Sequence, residues 1–365
     1  MTATTQASGS AQAPAPTQAP AALSLPERLQ RDAFTALLAG LPGRLMRRIA
    51  PRVVNADGDV MAPEIALLLK LTADAPDFSD GTPEEARVIV ANDSRVFADE
   101  APAGVRVEPE IVMPGGVRAT LYRPATPSKA LVLFLHGGGF VLSSRQDYDV
   151  PVRLIADGAG VNVLSVEYGL APESPFPGPV DDAVTAWHFA VEHAAQWGID
   201  PTRIVLLGDS AGGNLCAVLA NDLAGEEIRP YLQVLMYPVV DAVGEYSSRT
   251  EFAGNSALSA KQIAWLTDQY IPDRVDGLNP RVSPMLAEDL SAAPPTLITV
   301  AGFDPLRDEA LAYAERLAES GVPVRVFRES GLVHGYVSMT RISPAARAAV
   351  DRVTGAIRDA LKESR

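Results

Sequence analysis

The sequence holds a single cysteine, Cys216, in 365 residues. That scarcity excludes an intrachain disulfide and any zinc site built on paired thiolates, and it favours a reducing compartment, the cytoplasm. Basic residues are also short: 31 Lys and Arg stand against 45 Asp and Glu, for a formal net charge of -14. A surface with that balance cannot neutralise a phosphate backbone or settle on anionic lipid, so neither nucleic acid nor membrane is expected as a partner. Long apolar runs are missing as well. The best of them, such as Ala130 to Leu135, have the length of a strand and not the roughly 20 residues of a membrane span. Histidine is rare, with only His136, His188, His193 and His334, which narrows the search for a general base at once.

What the sequence does have is a hydrophobic content of 47 %, enough in a chain of this length to bury a large core. Residues 1–22 are almost entirely Ala, Pro, Thr, Gln, Ser and Gly, too poor in apolar surface to offset ordering entropy, and are expected to form a disordered tail. The first basic residue is Arg28 and prolines interrupt the region, so it lacks the form of a secretory signal. From residue 23 to about 100 helical patterns dominate, including Pro63 to Leu71 and Pro83 to Val96, each with Pro where a first helical turn tolerates it. This stretch reads as an all-helical cap region.

Residues 101–365 read as one α/β domain. Eight short apolar or β-branched runs are candidate strands: Val105 to Met113, Val117 to Tyr122, Ala130 to Leu135, Val161 to Val166, Ile204 to Leu207, Leu232 to Met236, Thr296 to Val300 and Val322 to Phe327. From the third onward they alternate with helical stretches at Asp147 to Ala159, Pro179 to Trp197, Ala211 to Leu223, Pro305 to Ser320 and Pro344 to Leu361. Such alternation predicts a mostly parallel eight-stranded sheet with helices on both faces. A longer excursion, Val239 to Ala293, carries one helical piece near Ala260 to Tyr270. Its first part, about 239–280, reads as an insertion that joins the cap.

The chemistry concentrates in three places. Gly208-Asp209-Ser210-Ala211-Gly212-Gly213 lies between a strand and a helix, the setting of a nucleophile elbow, where small neighbours let the backbone bend sharply and lift the Ser210 hydroxyl above the sheet. A Gly-rich helix start capped by serine is the plain alternative. His136-Gly137-Gly138-Gly139 follows the third strand, where bare backbone amides can approach a developing oxyanion. Gly138, Gly139 and the amide of Ala211 are the candidate donors. His136 itself suits an orienting role. His188 and His193 fall inside an amphipathic helix, which leaves His334, in the segment Ser330 to Tyr336 after the last strand, as candidate base. Asp304, at the end of the seventh strand, is the candidate acid, although Asp followed by Pro305 is also a good helix start. Asp308 is the fallback. The chain order Ser, Asp, His suits an α/β-hydrolase fold.

These motifs, with Tyr168-Gly169-Leu170-Ala171-Pro172-Glu173, Ser283-Pro284-Met285 and Asp304 to Asp308, resemble the GDSAGG group of the bacterial hormone-sensitive-lipase-like esterases. The resemblance runs from about Ile111 to His334. It implies an α/β-hydrolase fold with a cap formed in part by N-terminal helices. It implies a Ser210, Asp304 and His334 triad, oxyanion donors at Gly138 and Gly139, and no cofactor or metal. In one respect the chain departs from the family: Glu167 and Gly169 stand where an aspartate and an arginine are usual, so a structural ion pair near the site is expected to be missing. The expected partner is a small-molecule ester, with acyl chains of short to medium length. A non-catalytic small-ligand receptor on the same fold and an amidase or peptidase with the same triad are the alternatives. Pairing into a homodimer is compatible with the sequence but not determined by it.

Overall fold

A computed structural model describes residues 40–97, 99–254 and 257–362. The expected tail, residues 1–22, and the first part of the expected cap region, residues 23–39, lie outside the described residues. Among the described residues the first helices are α1 (Gly43–Ile49), α2 (Pro63–Leu71) and α3 (Pro83–Phe97). Proline opens both α2 and α3, at the position where a missing N–H is harmless.

One sheet follows, built from β1 (Arg106–Val112), β2 (Arg118–Arg123), β3 (Leu131–Leu135), β4 (Asn162–Glu167), β5 (Ile204–Asp209), β6 (Leu232–Met236), β7 (Thr296–Phe303) and β8 (Val324–Val333). Their order across the sheet is β1-β2-β4-β3-β5-β6-β7-β8. β2 runs antiparallel to β1 and β4, and every other pairing is parallel. The helices of this part are α4 (Asp149–Ala159), α5 (Gly178–His193), α6 (Ala211–Asp222), α7 (Ser247–Glu251), α8 (Ala260–Tyr270), α9 (Arg307–Glu319) and α10 (Pro344–Lys362).

The unbroken apolar run of β3 shows why the sheet is covered on both sides. Leu131, Leu133 and Leu135 join a core with Val180 and Ala183 of α5, Leu215 of α6 and Ala310 of α9. Val132 and Phe134 point the other way, to Val152 and Ile155 of α4 and Val350 and Val353 of α10. Strands buried on both faces have no polar side to show, hence no alternation in the sequence. Among the described residues no helix is long and apolar enough to cross a membrane.

Two cap segments meet above the sheet. Ser259 and Gln262 form a capping box at the start of α8, and Gln262 also donates to Asp77 at 3.0 Å. Trp265 packs edge-on against Phe78 with ring centroids 5.9 Å apart. Asn214 of α6 fastens the insertion at both stems, donating to the carbonyls of Val239 at 2.9 Å and Val282 at 2.8 Å. The N-terminal region is not helical throughout, contrary to the sequence reading. Val54 and Val60 form an isolated antiparallel bridge, Asn55 donates to Gly302 O at 2.9 Å, and Ala62 N donates to Gly331 O at 2.8 Å. These residues brace the ends of β7 and β8, an extended task for which helix is unsuited.

Three strands run further than expected. β5, β7 and β8 run on to Asp209, Phe303 and Val333, so Ser210, Asp304 and His334 each begin immediately beyond a strand. The crossing of β5 into α6 is tight: a Cβ on Gly212 would lie 1.9 Å from Leu135 O and 2.6 Å from His136 O. Gly212→Ala therefore should not yield a native elbow. Soluble yield and ester turnover should collapse, while Gly225→Ala, which meets nothing within 4 Å, should leave both intact. Equal behaviour of the two variants in expression and thermal melting would contradict this packing.

Candidate active site

Ser210 occupies the turn between β5 and α6 with φ 53° and ψ -118°, a strained conformation that non-glycine residues rarely hold. Its N–H bonds Met236 O at 2.9 Å, and its carbonyl accepts Asn214 N at 3.0 Å, so both sides of the strained residue are pinned. From this position Oγ lies 2.9 Å from Nε2 of His334. The Nδ1 of His334 lies 2.9 Å from Oδ2 of Asp304. Gly335 follows in the left-handed region at φ 74°, turning the chain away after the histidine, and Tyr237 packs edge-on against the imidazole at 5.0 Å.

The helix begins later than the Asp-Pro pair suggests, at Arg307 with Leu306 in the cap position, and the Asp304 carboxylate serves two partners. Oδ1 accepts the amide of Leu306 at 2.8 Å, the local turn that Asp-Pro favours, and Oδ2 is left to face the imidazole. Asp308 is turned elsewhere, accepting Ser248 N at 2.8 Å and Arg307 Nε at 2.7 Å. Burial lowers the imidazole pKa of His334, but the charge and hydrogen bond of Asp304 outweigh it and leave the group above its ordinary 6.5.

The glycine loop lies across from Ser210. Gly138 has φ 119° and Gly139 φ 60°, and a Cβ on Gly138 would meet Leu142 O at 2.2 Å, so only glycine fits that turn. Among the described residues the amides of Gly138, Gly139 and Ala211 have no acceptor in the protein. His136 is fully buried beneath the loop, stacked on Tyr168 at 4.4 Å with Nδ1 2.8 Å from Gly137 O. Burial pushes its pKa down to about 4, so it stays neutral and takes a supporting position. His188 and His193 lie on α5, away from this site.

Sequence reading missed the residue that ties these pieces together. Asp209, directly before Ser210, accepts Gly137 N at 2.9 Å, Tyr148 Oη at 2.9 Å and Tyr237 Oη at 3.2 Å. Burial raises its pKa to about 6 despite those donors. Its contacts come from three distant stretches of chain, and no local pattern marks them.

The expected gap in the ion pairs is filled from elsewhere. Glu167 pairs with Arg145 at 3.2 Å. Glu173 receives Arg87 of α3 through Nη1 at 2.8 Å and Nη2 at 2.7 Å. Gly169 could not carry the usual side chain here, since a Cβ would lie 2.8 Å from Ser174 Cβ.

Above Ser210 and His334 opens a cavity of about 750 Å³, walled by α2 and α3 residues such as Leu68, Ile89 and Val90 and by Leu258 and Leu266 of the insertion. That volume falls in the range of small-molecule sites. A parallel sheet with a serine on a strained strand-to-helix turn, facing a histidine after the last strand, defines an α/β-hydrolase. Residues 132–338 match the family described as alpha/beta hydrolase fold, and the chain belongs to its hormone-sensitive-lipase-like esterases. The protein is an esterase. It is 36 % identical over 326 residues to the carboxylic ester hydrolase LipN of Mycobacterium tuberculosis, covering 85 % of each chain. It is 40 % identical over 228 residues to an ethyl acetate hydrolase of Pseudomonas putida, covering 61 % of this chain and 72 % of that one. Among solved structures, an esterase of the archaeon Pyrobaculum calidifontis superposes with a TM-score of 0.76 at 35 % identity, covering 82 % of this chain and 98 % of that chain.

Asp209→Ala should expose the importance of the buried carboxylate. It strands one amide and two tyrosine hydroxyls in the interior, at about 2–4 kcal/mol of stability, and frees the glycine loop. Thermal melting should drop by several degrees and kcat should fall with it; an unchanged melting temperature would show that the three donors find other partners.

Proposed function

We propose that Ser210, His334 and Asp304 are the catalytic triad of a carboxylesterase for short to medium acyl chains. The observation that carries this reading is the unbroken hydrogen-bond path from Ser210 Oγ through the His334 ring to Asp304, at 2.9 Å for each link, on the floor of the cavity. In the reaction His334 Nε2 takes the proton of Oγ as the oxygen attacks the ester carbonyl. Asp304 holds the Nδ1–H tautomer and stabilises the imidazolium that forms. The carbonyl oxygen, now anionic, is met by the amides of Gly138, Gly139 and Ala211, each worth about 3 kcal/mol in comparable sites. The imidazolium then protonates the leaving alcohol, giving an acyl-Ser210 ester. Water, deprotonated by His334, releases the acid in the second half-reaction.

Ser210→Ala and His334→Ala should each lower kcat by on the order of 10⁴-fold while melting normally, because triad members act as a unit. Retention of a tenth of wild-type kcat by either would remove it from the mechanism. The base acts only when neutral, and its pKa is raised, so the acid limb of kcat/KM should inflect above the 6.5 of free imidazole. An inflection below that value would contradict the pairing with Asp304.

Acyl preference follows from the size of the cavity. Each buried methylene contributes about 0.8 kcal/mol, so kcat/KM rises with chain length until the apolar wall ends. The relative named for ethyl acetate supports the short end. Across p-nitrophenyl acetate, butyrate, hexanoate, octanoate and palmitate the maximum should fall at roughly four to eight carbons. Palmitate outperforming butyrate, or a jump in rate at a triolein emulsion, would overturn the preference.

A further inference from the structure

Arg87 projects from the cap helix α3 onto the loop that carries Gly138 and Gly139. Its Nε donates to Val141 O at 2.8 Å, and its Nη2 to Ala171 O at 2.9 Å. Nη1 and Nη2 together grip the Glu173 carboxylate at 2.8 and 2.7 Å. One planar group thus holds two carbonyls and a carboxylate in fixed mutual directions, which the rigid fork of a guanidinium can do and an ammonium cannot.

The loop it holds is strained. Besides Gly138 and Gly139, Phe140 (φ 64°) and Ser143 (φ 70°) lie in the left-handed region, where a non-glycine residue persists only if its surroundings enforce it. Leu142 N bonds Gly138 O at 2.8 Å, so the peptide that Arg87 grips is one link from the glycine turn. Phe140 is held from the other cap segment, stacked on Tyr270 of α8 with centroids 3.7 Å apart and planes 9° from parallel.

We propose that Arg87 is a positioning residue for the oxyanion hole, so that the hole takes its working shape only when cap helix α3 is seated. The inference rests on the reading that Gly138, Gly139 and Ala211 bind the oxyanion. A guanidinium from the cap thus ties the glycine loop to the segment after β4, and cap placement and transition-state binding become one event. A residue that merely anchored the cap would affect how substrate is held; Arg87 acts on the peptide beside the glycine turn.

The test compares wild type, Arg87→Ala and Arg87→Lys with p-nitrophenyl butyrate, an alkyl trifluoromethyl ketone, and the matching methyl ketone. The fluorinated ketone adds Ser210 and places an oxyanion in the hole, whereas the methyl ketone reports ground-state binding alone. The expected result for Arg87→Ala is a kcat lower by about 10- to 100-fold with KM changed by less than about threefold. The trifluoromethyl ketone should weaken by the same factor as kcat/KM, the methyl ketone should not, and millimolar guanidinium chloride should recover part of kcat where sodium chloride does not. Arg87→Lys, which keeps the charge beside Glu173, should behave like Arg87→Ala and provides the same measurements if the alanine variant does not fold. A kcat within about twofold of wild type, a rise in KM with kcat preserved, or unchanged trifluoromethyl ketone affinity would overturn the inference. If wild type itself is not inhibited by the trifluoromethyl ketone, the oxyanion-hole reading fails first and this inference falls with it.

Discussion

The Asp209 carboxylate is the interaction on which the catalytic end of the sheet depends. A buried charge is tolerated only with several good donors, and its donors here are the amide of Gly137 and the hydroxyls of Tyr148 and Tyr237. Those groups belong to the glycine loop, the residue before α4, and the turn after β6. A single carboxylate therefore sets the distance between the elbow and the loop facing it. Its field also reaches His334, adding to the raised pKa of that imidazole. Even the orientation of Tyr237, which packs edge-on against the imidazole, follows from the same anchor.

The cap is joined to this centre at several points. Arg87 and Tyr270 approach the glycine loop from separate cap segments, and Leu266 closes over Gly139, where a Cβ would meet its side chain at 2.5 Å. Asn214, one turn into the helix that begins at the elbow, holds both stems of the insertion. The elbow helix is thus bonded at its start to the serine and a turn later to the roof. Apolar residues on α2, α3 and α8 can differ among esterases without disturbing the polar contacts beneath, which is the separation that lets one fold serve many esters.

Much of this architecture was legible in the sequence because the informative signals are local. Leu232–Met236, Pro63–Leu71 and Ala260–Tyr270 are found at the bounds their patterns indicate, since apolar runs and proline starts act within a few residues. The Ser210, Asp304 and His334 segments were recognisable for the same reason: each is a short motif at a strand end. What escaped was long-range. Glu173 meets Arg87 across 86 positions, and nothing in the neighbourhood of either residue marks the other as its partner. The extra length of β8 depends on pairing with β7 as far as Val333. The extended stretch around Val54 is explained by carbonyls of Gly302 and Gly331, more than 240 residues away, and no propensity of its own residues reveals that.

Those last contacts bear on how the chain comes to be folded in a cell. Ala62 cannot find Gly331 until the ribosome has added 269 further residues, the difference between the two positions, which at roughly 5–20 residues per second is a wait of roughly 13–54 seconds. During that interval Leu67 and Leu68, buried in the finished molecule, also lack Met339 and Ile342, the later residues that pack against them. The stretch from Val54 to Leu68 is consequently made long before its partners, and the growing polypeptide carries an uncovered apolar segment until they emerge. Folding of this chain should therefore lean on chaperones that shield nascent apolar segments.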